Sequence, residues 1–333
     1  MEAWILEKQA KIEDKPLRLA KIPAPHVEDN EIRIKVFACG VCRTDIHIAE
    51  GDLPLRKFPL ILGHEIVGIV DEVGKEVRNF ELGDRAGIAW LNSACGKCKF
   101  CLSGRENLCP KAKFTGWNTD GGYAEYTIVP ANFALHLSER LSFVELAPLM
   151  CPGIAGYRAF RLTQTQEGQR LGLYGFGPTA SYVLQIAKFL GVETFVITRS
   201  EKNRNAAREL GANWVGGYED KLQCKLDAGI IFPPAGNLVE FALSQLDSGA
   251  RLVLSPVTST PIEVKDYNHI WMERTIISLA NIAREDGIEF LKIADEINIK
   301  TELEAFDFNE LAEVLISAKH GEVKGNAVIK IAE

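Results

Sequence analysis

At 333 residues the chain exceeds what one hydrophobic core usually supports, so two domains are expected. With 47% apolar and 25% charged residues it reads as an ordinary soluble protein, and a formal charge of −7 argues against a nucleic-acid binder or a membrane-surface protein, either of which needs a basic face. The N-terminal Met1-Glu2-Ala3-Trp4 lacks the basic start of a signal peptide, and no apolar run reaches the roughly 18 residues of a membrane span, so a cytoplasmic protein with no membrane partner is expected. In a reducing compartment its 8 cysteines read as metal ligands and free thiols rather than disulfides.

From Met1 to about Phe37 the pattern is strand-like: Trp4-Ile5-Leu6, then Ile32 to Val36 alternating apolar and polar, with Pro16, Pro23 and Pro25 as breaks. Next comes Cys39-Gly40-Val41-Cys42-Arg43-Thr44-Asp45-Ile46-His47 and then Gly63-His64-Glu65, a concentration of thiol, imidazole and carboxylate. A catalytic zinc takes three protein ligands of these kinds and leaves a fourth position open. Cys42 and His64 would be two of them, and Cys151, in Leu149-Met150-Cys151-Pro152-Gly153 after an apolar run, is the third by elimination. Taken singly, a lone cysteine is more often a small buried hydrophobe and a lone histidine a hydrogen-bonded structural residue.

Two glycine-punctuated β-rich runs, Ile66–Gly74 and Phe80–Gly87, fit a barrel-like β domain. Cys95, Cys98, Cys101 and Cys109 follow in a loop rich in Lys, Ser and Gly, a spacing that lets one loop wrap a tetrahedral ion in a closed structural zinc site. An iron–sulfur cluster also uses four cysteines, and a zinc ribbon can serve nucleic-acid binding, so this motif specifies a metal and not a function. Past Trp117, residues 120–130 return to strand, which carries the first domain to about Met150.

From Cys151 onward helical and strand patterns alternate at βαβ spacing, the mark of a parallel sheet. Gly175-Phe176-Gly177-Pro178-Thr179-Ala180 runs from a strand into a helix and fits the G-x-G-x-x-G/A dinucleotide fingerprint: a tight turn, a close backbone approach to pyrophosphate, and a small residue for helix–strand packing. At the end of the next strand, where NAD-binding folds place an acid, stand Thr198, Arg199 and Ser200, which favours the 2′-phosphate of NADP(H) over NAD(H). Short apolar strands at 228–232, 251–255 and 275–280 continue the sheet, and a helix over 309–319 and a strand over 327–331 close the chain.

In this order and spacing, the Cys42 motif, Gly63-His64-Glu65, the four-cysteine loop and the glycine fingerprint resemble the zinc-dependent alcohol dehydrogenases of the medium-chain dehydrogenase/reductase superfamily, over essentially the whole chain. The resemblance implies an α/β protein: a Gly-rich, β-barrel-like (GroES-like) catalytic domain over 1–150 and 283–333, and a doubly wound Rossmann domain over 151–282. It implies two Zn2+ per chain, one held by Cys42, His64 and Cys151 with Glu65 able to exchange onto it, the other by Cys95, Cys98, Cys101 and Cys109. By the same resemblance Asp45 orients the ligating histidine, Arg43 clamps the cofactor pyrophosphate, Thr44 and His47 relay the proton, and Trp90 narrows the substrate pocket, with Trp117 as a further wall. The implied partners are a small primary alcohol or aldehyde and copies of the same chain in a homodimer or homotetramer. A zinc dehydrogenase for polyols or aromatic aldehydes, and a zinc-stabilised binding module without catalysis, are the competing readings. Three departures from the family pattern stand out: Thr198 in place of an acid, Ala155 near the usual threonine, and Asn326 near the usual arginine.

Overall fold

The alternation of Ile32, Ile34, Val36 and Ala38 produces the longest strand of the protein, Glu31–Val41, with these four side chains fully buried and the residues between them partly exposed. In the computed structural model, which describes residues 1–332, this strand is the spine of a seven-stranded sheet. It pairs antiparallel with Glu65–Val73, with Tyr126–Pro130 and with Asn326–Lys330; Arg85–Ile88 and Leu135–His136 extend the sheet on one side and Leu303–Asp307 on the other. Register shifts at Arg33/Ile34 and Val36/Ala38 mark bulges that bend the strand, as closure of a barrel-like sheet requires. A separate three-stranded sheet joins Leu17–Lys21, Glu2–Leu6 and Leu60–Ile61.

The chain divides into two compact units. The first comprises Met1–Cys151, Asn281–Asp295 and the segment from Thr301; the second comprises Pro152–Ala280 and Glu296–Lys300. In the second unit six parallel strands lie in the order Trp214–Gly216, Glu193–Ile197, Arg170–Tyr174, Leu226–Ile231, Leu246–Leu254, Thr275–Ser278. That is the 3-2-1-4-5-6 order of a dinucleotide-binding sheet, with its order reversing beside Arg170–Tyr174. Its interior strands carry near-continuous buried runs, Leu171 to Tyr174 and Ala228 to Ile231, as strands covered on both faces must. No helix among the described residues is long and apolar enough to cross a membrane.

Candidate active site and metal centres

The antiparallel register between Glu31–Val41 and Glu65–Val73 pairs Gly40 with Glu65, and so brings the end of one strand beside the start of the other. Gly40 is required there, because a Cβ on it would lie 1.9 Å from Glu65 Oε2. The first strand then ends and Cys42, in extended conformation, becomes the N-cap of the helix Arg43–Glu50. Cys151 arrives from the far side of the sequence, after the buried turn Ala147–Met150; Met150 packs so closely on Gly87 that a Cβ there would meet its sulfur at 2.5 Å.

The result is one cluster. Ligand atoms of Cys42, His64, Glu65 and Cys151 all lie within 4.8 Å of one another, with the two sulfurs 3.9 Å apart. His64 is fully buried; its Nδ1 faces Asp45 Oδ1 at 3.0 Å, which leaves Nε2 as the atom available to the cluster. That Nε2 is buried with no hydrogen-bond partner. Buried polar atoms are nearly always paired, so an orphaned imidazole nitrogen beside two thiols and a carboxylate fits a metal ligand. The donor set of two sulfurs, one nitrogen and one oxygen suits zinc.

Electrostatics point the same way. The contact with Cys151 draws the Cys42 thiol well below the ordinary thiol range despite burial, and the same contact pushes Cys151 up. Burial pushes the Glu65 carboxyl well up, and Cys42 adds to the shift. Burial opposes charge on His64, but Asp45 and Cys42 outweigh it and raise the imidazole. Buried thiols, an imidazole and a carboxyl crowded together in this way become a stable set when a divalent cation displaces their protons.

Around this cluster stand the other residues singled out in the sequence. Thr44 is buried, its Oγ1 3.7 Å from Cys42 Sγ. His47, in the last turn of the Arg43–Glu50 helix, pairs its Nδ1 with Asp52 at 2.7 Å. Arg43 donates from Nη2 to the Lys319 carbonyl at 2.9 Å. The Trp90 ring centroid lies 5.8 Å from that of His64 and packs on Phe114 at 5.0 Å and on Trp117 at 6.1 Å. Trp117 is held in turn by its indole N–H to the Pro54 carbonyl and by Arg56 over its face. Phe114 had no sequence signal of its own; only the fold brings it into this aromatic stack.

Cys95, Cys98, Cys101 and Cys109 form a second cluster of sulfurs within 4.8 Å, in a loop turned by Gly96 and Gly104 in left-handed conformation. Backbone N–H groups of Lys97 and Cys98 pull the Cys95 thiol down to about 6, toward the thiolate a metal needs. All four donors are sulfur, which makes the set closed, with no carboxylate or open place for chemistry. Glu106, within the loop, receives a two-pronged ion pair from Arg284 at 2.7 and 2.9 Å, and Arg284 also lies over the Phe133 ring at 4.5 Å.

In the second unit Gly175 takes φ +84°, and Gly177 is the N-cap of the helix Pro178–Phe189. A Cβ on Gly177 would meet nothing within 4 Å, so the backbone there faces open space where a phosphate can approach, and buried Ala180 lets helix and strand pack closely. Thr198 is buried just past the Glu193–Ile197 strand, and Ser200 caps the helix Glu201–Glu209 by accepting from Asn203 N. Arg204 is engaged with Glu201 and the Thr198 carbonyl, whereas Arg199 has no ion pair among the described residues.

Besides Phe114, two further residues that the sequence did not single out belong to the site. Tyr123 donates its hydroxyl to Asp45 at 2.8 Å; the stretch from Asp120 reads as strand, but the strand itself runs only over Tyr126–Pro130, with a single bridge from Ala124 to Ala3 before it, and Gly121 and Gly122 lie against Gly63 and Ile66. Asp52 follows the left-handed Gly51 that ends the helix, and no local pattern marks it. The Arg43–Glu50 helix did carry a signal: Cys42-x-x-Asp45 is a capping box, with Asp45 Oδ2 accepting from Cys42 N at 3.0 Å.

Residues 28–139 match the alcohol dehydrogenase GroES-like domain. The chain is 42% identical over 337 residues to the probable alcohol dehydrogenase AdhA of Mycobacterium tuberculosis, covering 99% of this chain and 97% of that protein. It is 35% identical over 332 residues to an alcohol dehydrogenase of Geobacillus stearothermophilus, covering 96% and 97%. Among solved structures, a cinnamyl alcohol dehydrogenase of Sorghum bicolor superposes with a TM-score of 0.88 at 26% identity over 99% of this chain and 97% of that one. This chain belongs to the zinc-type medium-chain alcohol dehydrogenase family.

Proposed function

We propose that the protein interconverts small primary alcohols and their aldehydes, with Cys42, His64 and Cys151 holding a catalytic zinc, Glu65 as an exchangeable fourth ligand, and the four-cysteine loop holding a structural one. The orphaned, buried Nε2 of His64 carries this reading. When bound, zinc supplies Lewis acidity to the substrate oxygen and the nicotinamide takes or gives the hydride. Asp45 holds His64 in the tautomer with the proton on Nδ1, so that Nε2 presents a lone pair. The Thr44 hydroxyl, next to Cys42, would begin the proton relay, taking the substrate proton as it releases its own, and His47, backed by Asp52, would be the outlet of that relay to solvent.

The stack of Trp90, Phe114 and Trp117 supports a narrow substrate wall beside His64. Short unbranched primary alcohols therefore give the highest kcat/KM in a substrate series, and secondary or bulky alcohols lose about tenfold or more, the worth of one misfit methylene or two. A profile indifferent to branching contradicts the narrow wall.

NADP(H) is the proposed cofactor, NAD(H) the lesser one. Arg199, with no acid paired to it, and the Ser200 hydroxyl suit a 2′-phosphate, and Thr198 stands where a ribose-binding acid would repel one. Arg199→Asp removes a charge-assisted contact of about 1.5–3 kcal/mol and shifts the ratio of kcat/KM values roughly 10- to 100-fold toward NAD. An unchanged ratio would refute this assignment.

Self-association as a homodimer or homotetramer is supported by the open edge strand Thr275–Ser278, which ends the parallel sheet, and by the exposed Tyr267, Trp271 and Met272 beside it; sedimentation of a monomer would exclude it. A reducing, cytoplasmic setting is supported by eight cysteines all free of disulfides, a reading that export of the native chain would overturn.

A further inference from the structure

Asp45 is fully buried and makes four contacts, two on each oxygen: Oδ1 faces His64 Nδ1 at 3.0 Å and Gly63 N at 3.2 Å, and Oδ2 faces Cys42 N at 3.0 Å and the Tyr123 hydroxyl at 2.8 Å. A carboxylate offers about four lone-pair sites, so every one is in use. Two of the partners are backbone N–H groups beside the ligands Cys42 and His64. The Asp45 side chain is therefore the peg on which both ligand-bearing segments hang, and Tyr123 supplies the one contact to it that a side chain from outside those segments makes.

We infer that Tyr123 is a positioning residue for the catalytic metal: its hydroxyl locks the Asp45 carboxylate in the rotamer that orients His64 Nε2 and fixes the Cys42 N-cap. The phenol cannot drift. It is fully buried, lies 3.3 Å from the Gly40 carbonyl, and packs so tightly on Gly63 that a Cβ there would meet its ring at 2.9 Å. Burial and the Asp45 charge keep it protonated, hence a donor.

This inference rests on the zinc reading above. Its test is Tyr123→Phe in the full-length zinc protein, which deletes one oxygen and keeps the ring. Metal release to a chromogenic chelator is followed at both sites, with Cys42→Ser, which retains only the four-cysteine metal, as the reference that assigns the phases. Release from the Cys42 set accelerates about 10- to 100-fold, the usual effect of losing such a partner, while release from the four-cysteine set keeps its wild-type rate. In the cobalt-substituted protein the ligand-field bands shift, because the histidine orientation has relaxed. Loss of a buried hydrogen bond lowers the melting midpoint under either account, so the ratio of the two release rates decides. An unchanged ratio, whether neither phase moves or both accelerate together, overturns the positioning role. A wild-type protein that holds no metal at the Cys42 set overturns the zinc reading instead.

Discussion

Cys42→Ser lowers turnover about 1,000-fold or more and removes one of two bound metals, while the fold survives. Loss of Lewis-acid stabilisation is worth several kcal/mol at the transition state, and each 1.36 kcal/mol is tenfold in rate. A serine alcohol is a poor zinc donor compared with a thiolate, and the surroundings of Cys42 lower its thiol well below the ordinary range. The fold is spared for a local reason. Cys42 is the N-cap of the Arg43–Glu50 helix, and serine is among the best residues at an N-cap, so the helix start, with Asp45 accepting from the backbone of residue 42, stays intact. Metal analysis, circular dichroism and turnover on the same preparation check this. A variant that keeps both metals, or that loses its fold along with its activity, contradicts the assignment.

Cys98→Ser has the opposite profile: a large loss of stability. The loop that holds Cys98 has little apolar surface to bury; Leu102 and Leu108 are exposed and three of its four cysteines are only half-buried. In the proposed reading its order depends on the metal and on the Glu106–Arg284 ion pair. Structural zinc contributes about 10–16 kcal/mol of apparent binding energy in peptides that fold only around it, of which a loop tethered at both ends loses a part, about 3–5 kcal/mol. For a unit of this size that lowers the melting midpoint by roughly 10 °C. Thermal denaturation followed by circular dichroism reads it out. A midpoint equal to wild type would show that the four sulfurs do not hold a structural ion.

Much of this was legible in the residues, and the reason is local. The Ile32–Val36 alternation, the glycine fingerprint between a strand and a helix, and four cysteines in one loop each announce themselves over a few positions, and the strand Glu31–Val41, the helix Pro178–Phe189 and the second sulfur cluster follow from them. Cys151 was different. Nothing near it marks a ligand, and it joins Cys42 only because the Ala147–Met150 turn packs under the sheet at Gly87. Tyr123, Asp52 and Phe114 were invisible for the same reason: a tyrosine, an acid and a phenylalanine are common, and only register and long-range packing give them partners. The strand Asn326–Lys330 could be seen as a strand, yet its antiparallel pairing with Val41 to Ala38 lies nearly the whole chain away, beyond the reach of any pattern.

The most direct test is alcohol-dependent formation of reduced nicotinamide by the purified full-length protein, followed by absorbance with NAD and NADP in parallel, before and after removal of metal by a chelator and after return of zinc. Turnover of a short primary alcohol is expected that disappears with the Cys42-set metal, returns with zinc, and is faster with NADP. Turnover that persists after that metal is gone, or no turnover with either cofactor in a protein holding both metals, would contradict it.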